Sequence, residues 1–139
     1  MTAEQIAKIN WLNRAFHAEK VAMAWRAKLE RDRSLAERIS RTGNGTGGGQ
    51  GNGTESALVR LAQTETETRE RLRTLVNIRE EISSAIRNVD DPDMQAILVR
   101  HFLAYETFEM IADKMHYSKP TIMRKYKKAL DKMILNDTV

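Results

Sequence analysis

Apolar residues recur at helical intervals along most of the chain, and this periodicity predicts an all-α protein. Residues 2–41 contain neither glycine nor proline. They carry Ile6, Ile9, Leu12, Phe16, Met23, Trp25, Leu29, Leu35 and Ile39 in one drifting stripe, with Trp11 and Trp25 expected at its edges. Such a helix, at 1.5 Å per residue, would extend about 60 Å. Residues 55–89 show a cleaner heptad pattern. Leu58, Leu61, Leu72, Leu75, Ile82, Ile86 and Val89 fall on alternating three-four spacing, with Glu65, Thr68 and Arg79 at polar seam positions. The seam is weakest at residues 64–68. Each stripe must be covered, so the simplest account is a coiled-coil-like helical hairpin of residues 2–41 against 55–89, closed on itself or doubled in a dimer.

Between the two helices, residues 42–54 (TGNGTGGGQGNGT) hold all seven glycines of the protein and read as a flexible linker. About eleven flexible residues span roughly 17–20 Å, enough to join helices packed about 8–10 Å apart. The segment has no charged residue, so it lacks the lysine of a phosphate-binding loop. Its two Asn-Gly-Thr triplets fit a glycosylation pattern, but nothing else in the sequence suggests secretion.

After the second helix, Asp90-Asp91-Pro92-Asp93 marks a stop and a start. Asp91 is an N-cap, Pro92 the first helical residue, and Asp93 lies at the positive helix end. Metal binding is the rival reading for these acids, but no ligand series follows them. Met94, Ile97, Leu98 and Phe102 then form the apolar face of a supporting helix, with His101 and Leu103 near its end. Residues 90–139 are thereby set apart as a C-terminal domain.

Within that domain, residues 107–133 have the layout of a helix-turn-helix. Thr107 caps a short helix with Phe108, Ile111 and Met115 on its buried side, and Ala112 is small where two helices must cross. His116 and Tyr117 make the turn, histidine tolerating the left-handed conformation better than most non-glycine residues. Ser118 caps the second helix, Pro120 falls in its first turn, and Ile122 begins its buried face. Ala112, His116 and Ile122 stand four and then six residues apart. In such units the start of the second helix enters the major groove. Here that start offers Ser118, Lys119, Thr121, Met123 and Arg124 on or near the outer face.

Charge points the same way. From Lys114 to Lys132 there are seven Lys/Arg (114, 119, 124, 125, 127, 128, 132) against one acid, Asp131. From Asp91 to Asp113 there is one arginine, Arg100, against five acids (91, 93, 106, 109, 113). An acidic support beside a basic helix suits a unit with one face on phosphate. The bland alternative, a solvated lysine-rich face, explains the charge run but not the capped motif around it.

Composition narrows the remaining classes. With 139 residues, 41% apolar and 30% charged, the chain suits a helical protein, and aromatics at 6% leave little for a large globular core. No stretch approaches the apolar run of a membrane span, and MTAEQIAKIN lacks the pattern of a signal peptide. A membrane-surface role is the rival reading for residues 2–41, but their charges are mixed around the helix, which favours packing against another helix. No cysteine is present, so there is no disulfide framework or thiolate chemistry. His17, His101 and His116 share no ligand spacing, and no HExxH or Gly-x-Ser-x-Gly pattern occurs. The expectation is a non-enzyme without cofactor or metal, residing in the cytoplasm.

Residues 94–133 resemble region 4 of bacterial sigma factors: an apolar helix (MQAILVRHFL), a short link, EMIA at Glu109 to Ala112, then a Ser-capped basic helix ending in Ala129-Leu130. The whole chain resembles small phage-encoded late-gene activators of the ArpU/RinA type, found in phages and prophages of Gram-positive bacteria. The resemblance implies promoter binding and transcription activation in a bacterial host cell. By position, Lys119, Thr121, Met123 and Arg124 would face base edges, and Lys127 and Lys128 phosphates. Two residues depart from the pattern: His116 stands where glycine or asparagine is common, and Lys125 where an apolar residue is common, with Tyr126 beside it. The expected partners are double-stranded DNA, host RNA polymerase and a second copy of the chain. A small terminase-like DNA-packaging protein and a helical adaptor that does not bind DNA remain as alternatives.

Overall fold

Every element in the structure is helical. The structure is a computed structural model that describes residues 1–42 and 51–135, with backbone alone at 51 and 52. In chain order the elements are α1 (Ala3–Leu12), α2 (Arg14–Thr42), α3 (Gly51–Arg87), α4 (Pro92–Leu98), a π-helical turn (Val99–Leu103), α5 (Phe108–Met115) and α6 (Lys119–Lys132). The fold is all-α, as the periodicity predicts, and no strand occurs among the described residues. Most of the linker expected at 42–54 lies outside them, and α3 begins at Gly51. No helix among the described residues is long and apolar enough to cross a membrane.

The chain packs as two compact units. One comprises Met1–His17 with Val76–Val139, the other Ala18–Leu75. Helices α2 and α3 each contribute a segment to both.

The unit Ala18–Leu75 is an antiparallel helix pair. Thr68 Oγ1 donates to the Trp25 carbonyl at 3.2 Å, and Thr64 Oγ1 donates to Asp32 Oδ2 at 2.6 Å. Lys28 Nζ donates to the same Asp32 oxygen at 2.8 Å and to Thr64 Oγ1 at 3.0 Å. Hydrogen bonds from Lys28 and then Thr64 hold the Asp32 carboxyl below its usual range. The apolar seam differs from the expected one. Its buried positions are Ala22, Ala36, Ala57 and Leu75 with the two threonines, whereas Met23, Leu35 and Leu58 are 39%, 37% and 53% exposed. Small side chains let two helices approach closely, and threonine is tolerated there because its hydroxyl finds a partner across the pair. The expected seam holds at Thr68 and Leu75, but a search for large apolar residues misplaces the rest of the contact line.

The other unit has a conventional core. Leu12 and Ala15, then Ile82, Ile86 and Val89, meet Met94, Ile97, Leu98 and Phe102, and all of these pack with Ile111, Ala112, Ile122, Tyr126, Ala129, Leu130 and Met133. The helix expected over residues 2–41 carries a one-residue turn at Asn13, where α1 gives way to α2; the Asn13 N–H still bonds the Ile9 carbonyl at 2.9 Å. Asparagine is a weak helix former whose side chain competes for backbone hydrogen bonds. α1 turns Gln5, Lys8 and Leu12 inward, so residues 1–17 belong with the helix-turn-helix.

Asp91 and Pro92 act as expected. Asp91 Oδ1 accepts from the Met94 N–H at 3.1 Å, and Pro92 opens α4. The helix then widens into the π turn, where the Ala104 N–H reaches back to the Val99 carbonyl at 3.0 Å. Tyr105 follows with φ 59°, a conformation unusual for a non-glycine residue. Its hydroxyl accepts from Arg79 Nη1 at 2.9 Å, and its ring meets Phe16 edge-on at 5.5 Å. These contacts hold the bend that delivers the chain to α5.

Candidate nucleic-acid interface

The α5–α6 unit is built by its caps. Thr107 accepts from the Met110 N–H at 3.2 Å and Ser118 from the Thr121 N–H at 3.3 Å, as the sequence predicts. His116 takes φ 61° and ψ 41°, the left-handed conformation, and ends α5. The Tyr117 N–H bonds the Ala112 carbonyl at 3.0 Å, and the His116 N–H bonds the Asp113 carbonyl at 3.4 Å. This paired pattern terminates a helix in one residue and turns the chain sharply. Lys119 and Pro120 can then open α6 almost immediately.

What α6 buries decides what it can present. Ile122, Tyr126, Ala129 and Leu130 face the core, as does Met133 just beyond the helix. Tyr126 packs on Phe108 with ring centres 4.7 Å apart and on Phe102 at 6.1 Å. Burial pushes its phenol up to about 12. His101 stacks on Phe108 at 4.1 Å and places Nδ1 2.8 Å from the Glu106 carbonyl, bracing the same corner. The core thus fixes the rotation of α6 about its own axis. Arg124 and Lys128 are left near the centre of the opposite side, with Lys127 and Lys132 flanking them.

The eight sequence candidates do not share one environment. Arg124, Lys127 and Lys128 are exposed and form no ion pair among the described residues. Ser118 is spent on the cap and also donates from Oγ to Thr121 Oγ1 at 2.9 Å. Lys119 is exposed, but its Nζ lies 2.7 Å from Glu109 Oε2, and that bond lowers the Glu109 carboxyl. Met123 is half-buried against the core and not free on the outer face. Lys125 departs furthest from expectation. Its Nζ lies 3.3 Å from Asp93 Oδ2 and 5.1 Å from the Tyr117 ring centre, so it folds back toward α4. The apolar position expected at 125 is filled by Tyr126, and this one-residue offset turns Lys125 aside.

Several organising contacts were not foreseen from the sequence. Asp93 accepts from the Tyr117 hydroxyl at 2.6 Å as well as from Lys125. The Tyr117 bond is the main reason the Asp93 carboxyl lies below its usual range, and the same bond raises the Tyr117 phenol. Glu106, its side chain 12% exposed, receives Lys114 at 2.9 Å and Arg100 at 3.1 Å and is likewise lowered, Lys114 contributing most. The acids counted as a negative block therefore act chiefly as tethers. Gln5 and Lys8 reach α6 from the far end of the chain. Their only local signal is the Thr2-x-x-Gln5 spacing of a capping box, realised with hydrogen bonds of 2.9 and 3.1 Å.

The arrangement is a capped helix-turn-helix with a basic outward helix in an all-α chain. Among the described residues no group of three His, Asp or Glu could hold a metal ion. Residues 38–134 match the family described as "Protein of unknown function (DUF1492)", and the chain belongs to that family. No curated protein and no solved structure matches it.

Proposed function

We propose that this protein is a sequence-specific DNA-binding transcription regulator, a late-gene activator of phage or prophage acting in the bacterial cytoplasm. One observation carries the reading. Core packing and two caps hold α6 with Arg124, Lys127 and Lys128 outward, while Asp93, Glu106 and Glu109 are paired with Lys125, Lys114 and Lys119. A basic helix fixed in rotation and preceded by a tight turn is what groove entry requires. Arg124, on the outward side of the second turn, would read base edges, and the lysines around it would neutralise phosphate. Lys119 would join them on releasing Glu109.

The resemblance of residues 94–133 to sigma region 4 supports a promoter target and host RNA polymerase as a second partner. A second copy of the chain is the third partner in this reading. Val21, Met23, Leu35, Leu58 and Val59 are large, apolar and exposed on a helix pair whose buried positions are mostly alanine and threonine. Nothing in this reading requires catalysis or a cofactor.

The test is selection from random duplexes, with titrations of the full chain at several salt concentrations. The expected result is a recovered site whose affinity falls on Arg124→Ala. Binding with a steep salt slope but no recovered site would favour a packaging role. Absence of binding at low salt would refute the regulator and leave a helical adaptor.

A further inference from the structure

The geometry points to α1 as a strut that holds the C-terminal half of the reading helix, with Gln5 and Lys8 as positioning residues; this rests on the regulator reading above. Lys8 is 9% exposed, and its Nζ donates to the Leu130 carbonyl at 2.8 Å. Gln5 is 7% exposed, and its Nε2 donates to Asp131 Oδ1 at 2.9 Å and to the Lys127 carbonyl at 3.5 Å. Gln5 is in turn immobilised, because its Oε1 accepts from the Thr2 N–H at 2.9 Å.

Three features make these contacts more than packing. First, they fall on the last turns of α6, where negative partial charge accumulates; the Leu130 carbonyl accepts from the Met133 N–H at 3.2 Å, and Lys8 is its second donor. A buried ammonium there adds a hydrogen bond and sits favourably at the negative end of the helix dipole. Second, Asp131 is the one acid from Lys114 to Lys132. Its carboxylate accepts from Gln5 and so anchors α1. Third, the start of α6 is fixed by Ser118 and Ile122 and its far end by the burial of Ala129, Leu130 and Met133, to which α1 adds polar contacts on the backbone and on Asp131. A helix held at both ends presents Arg124 and Lys128 in one orientation. Without the polar contacts from α1, it keeps its charge and its core packing but holds its last turns less firmly.

The consequence separates two kinds of binding. Phosphate neutralisation tolerates a loosely held helix, whereas base-edge contacts need a fixed one. Removing the strut therefore lowers the preference for a selected site while leaving affinity for random duplex nearly intact.

The experiment compares the full chain with Lys8→Met, which keeps the apolar stem, and with Lys8→Arg, which keeps the cation. Amide hydrogen exchange is followed along α6 and α4, and affinity is measured for the selected duplex and for random duplex at one salt concentration. For Lys8→Met the expected result is at least about tenfold faster exchange in the last turn of α6, with protection in α4 unchanged. The ratio of selected to random affinity should fall about tenfold, the scale set by one buried charge-assisted hydrogen bond. Lys8→Arg should restore both. Exchange that rises equally in α4 and α6, or does not rise, overturns the strut. Selected and random affinities falling by the same factor do so as well. If the unmodified chain shows no site preference, the regulator reading fails instead, and the exchange result alone decides whether α1 holds α6.

Discussion

Glu109→Gln tests whether the α5–α6 face meets phosphate. Lys119 and Glu109 are 53% and 67% exposed, so their 2.7 Å pair contributes little to stability, and the variant should melt with the parent protein. Binding is another matter. In the parent protein Arg124, Lys127, Lys128 and Lys132 form no ion pair among the described residues, whereas Lys119 must leave Glu109 to reach a phosphate oxygen. If each of those four cations neutralised one phosphate, the logarithm of affinity would fall with the logarithm of salt at a slope of about −3.6 per bound chain. The variant frees a fifth cation and steepens that slope to about −4.5. Affinity for random duplex at low salt should rise about two- to fivefold, the scale of one exposed ion pair. Fluorescence anisotropy with a labelled duplex at four salt concentrations measures both quantities. Glu70→Gln, on an exposed position of α3, controls for net charge. Equal slopes and affinities for parent and variant would refute the assignment of Lys119 to the DNA face. Equal gains from Glu70→Gln would reduce the effect to bulk charge.

Three further outcomes follow from the same contacts. Phe102→Ala should destabilise the unit formed by the two chain ends by about 3–5 kcal/mol, since Phe102 is 2% exposed and packs on Tyr126; denaturant melting reads the loss. His116→Gly should hold or raise stability, by up to about 1 kcal/mol, because glycine occupies the left-handed conformation at φ 61° without steric cost; a fall in the midpoint would contradict the turn described here. Glu106 and Asp93 have carboxyls lowered in the folded state, so the unfolded chain takes up protons at higher pH than the folded one does. Their contribution is complete above the usual carboxylate range and is lost as pH falls through the lowered folded values. Melting followed from neutral to acid pH should therefore show falling stability, and Glu106→Gln should flatten that limb; an unchanged limb would remove Glu106 from the account.

How much of this was legible in the sequence follows from the range of each interaction. The caps at Thr107 and Ser118, the Asp91-Pro92 start and the left-handed His116 all depend on residues within three or four positions, and each was readable in the chain. So was the all-α class, because a 3.6-residue period shows in the order of residues alone. The contact line of the helix pair was readable only in part: Thr68 and Leu75 fell on the seam, but large apolar residues signal where a core could be and not how closely two helices approach. Ala22, Ala36, Ala57, Thr64 and Thr68 hold that line because a partner helix suits small and hydroxyl side chains. Nor could order alone separate an exposed cation from an engaged one. Lys125, Lys119 and Lys8 carry the same cation, and their roles are set by Asp93, Glu109 and the Leu130 carbonyl. Lys8 and Leu130 lie at opposite ends of the chain and meet only because folding buries α1 against α6. Local order determined the helices and their ends; which faces they cover, and which charges stay free, was decided by packing between residues distant in sequence.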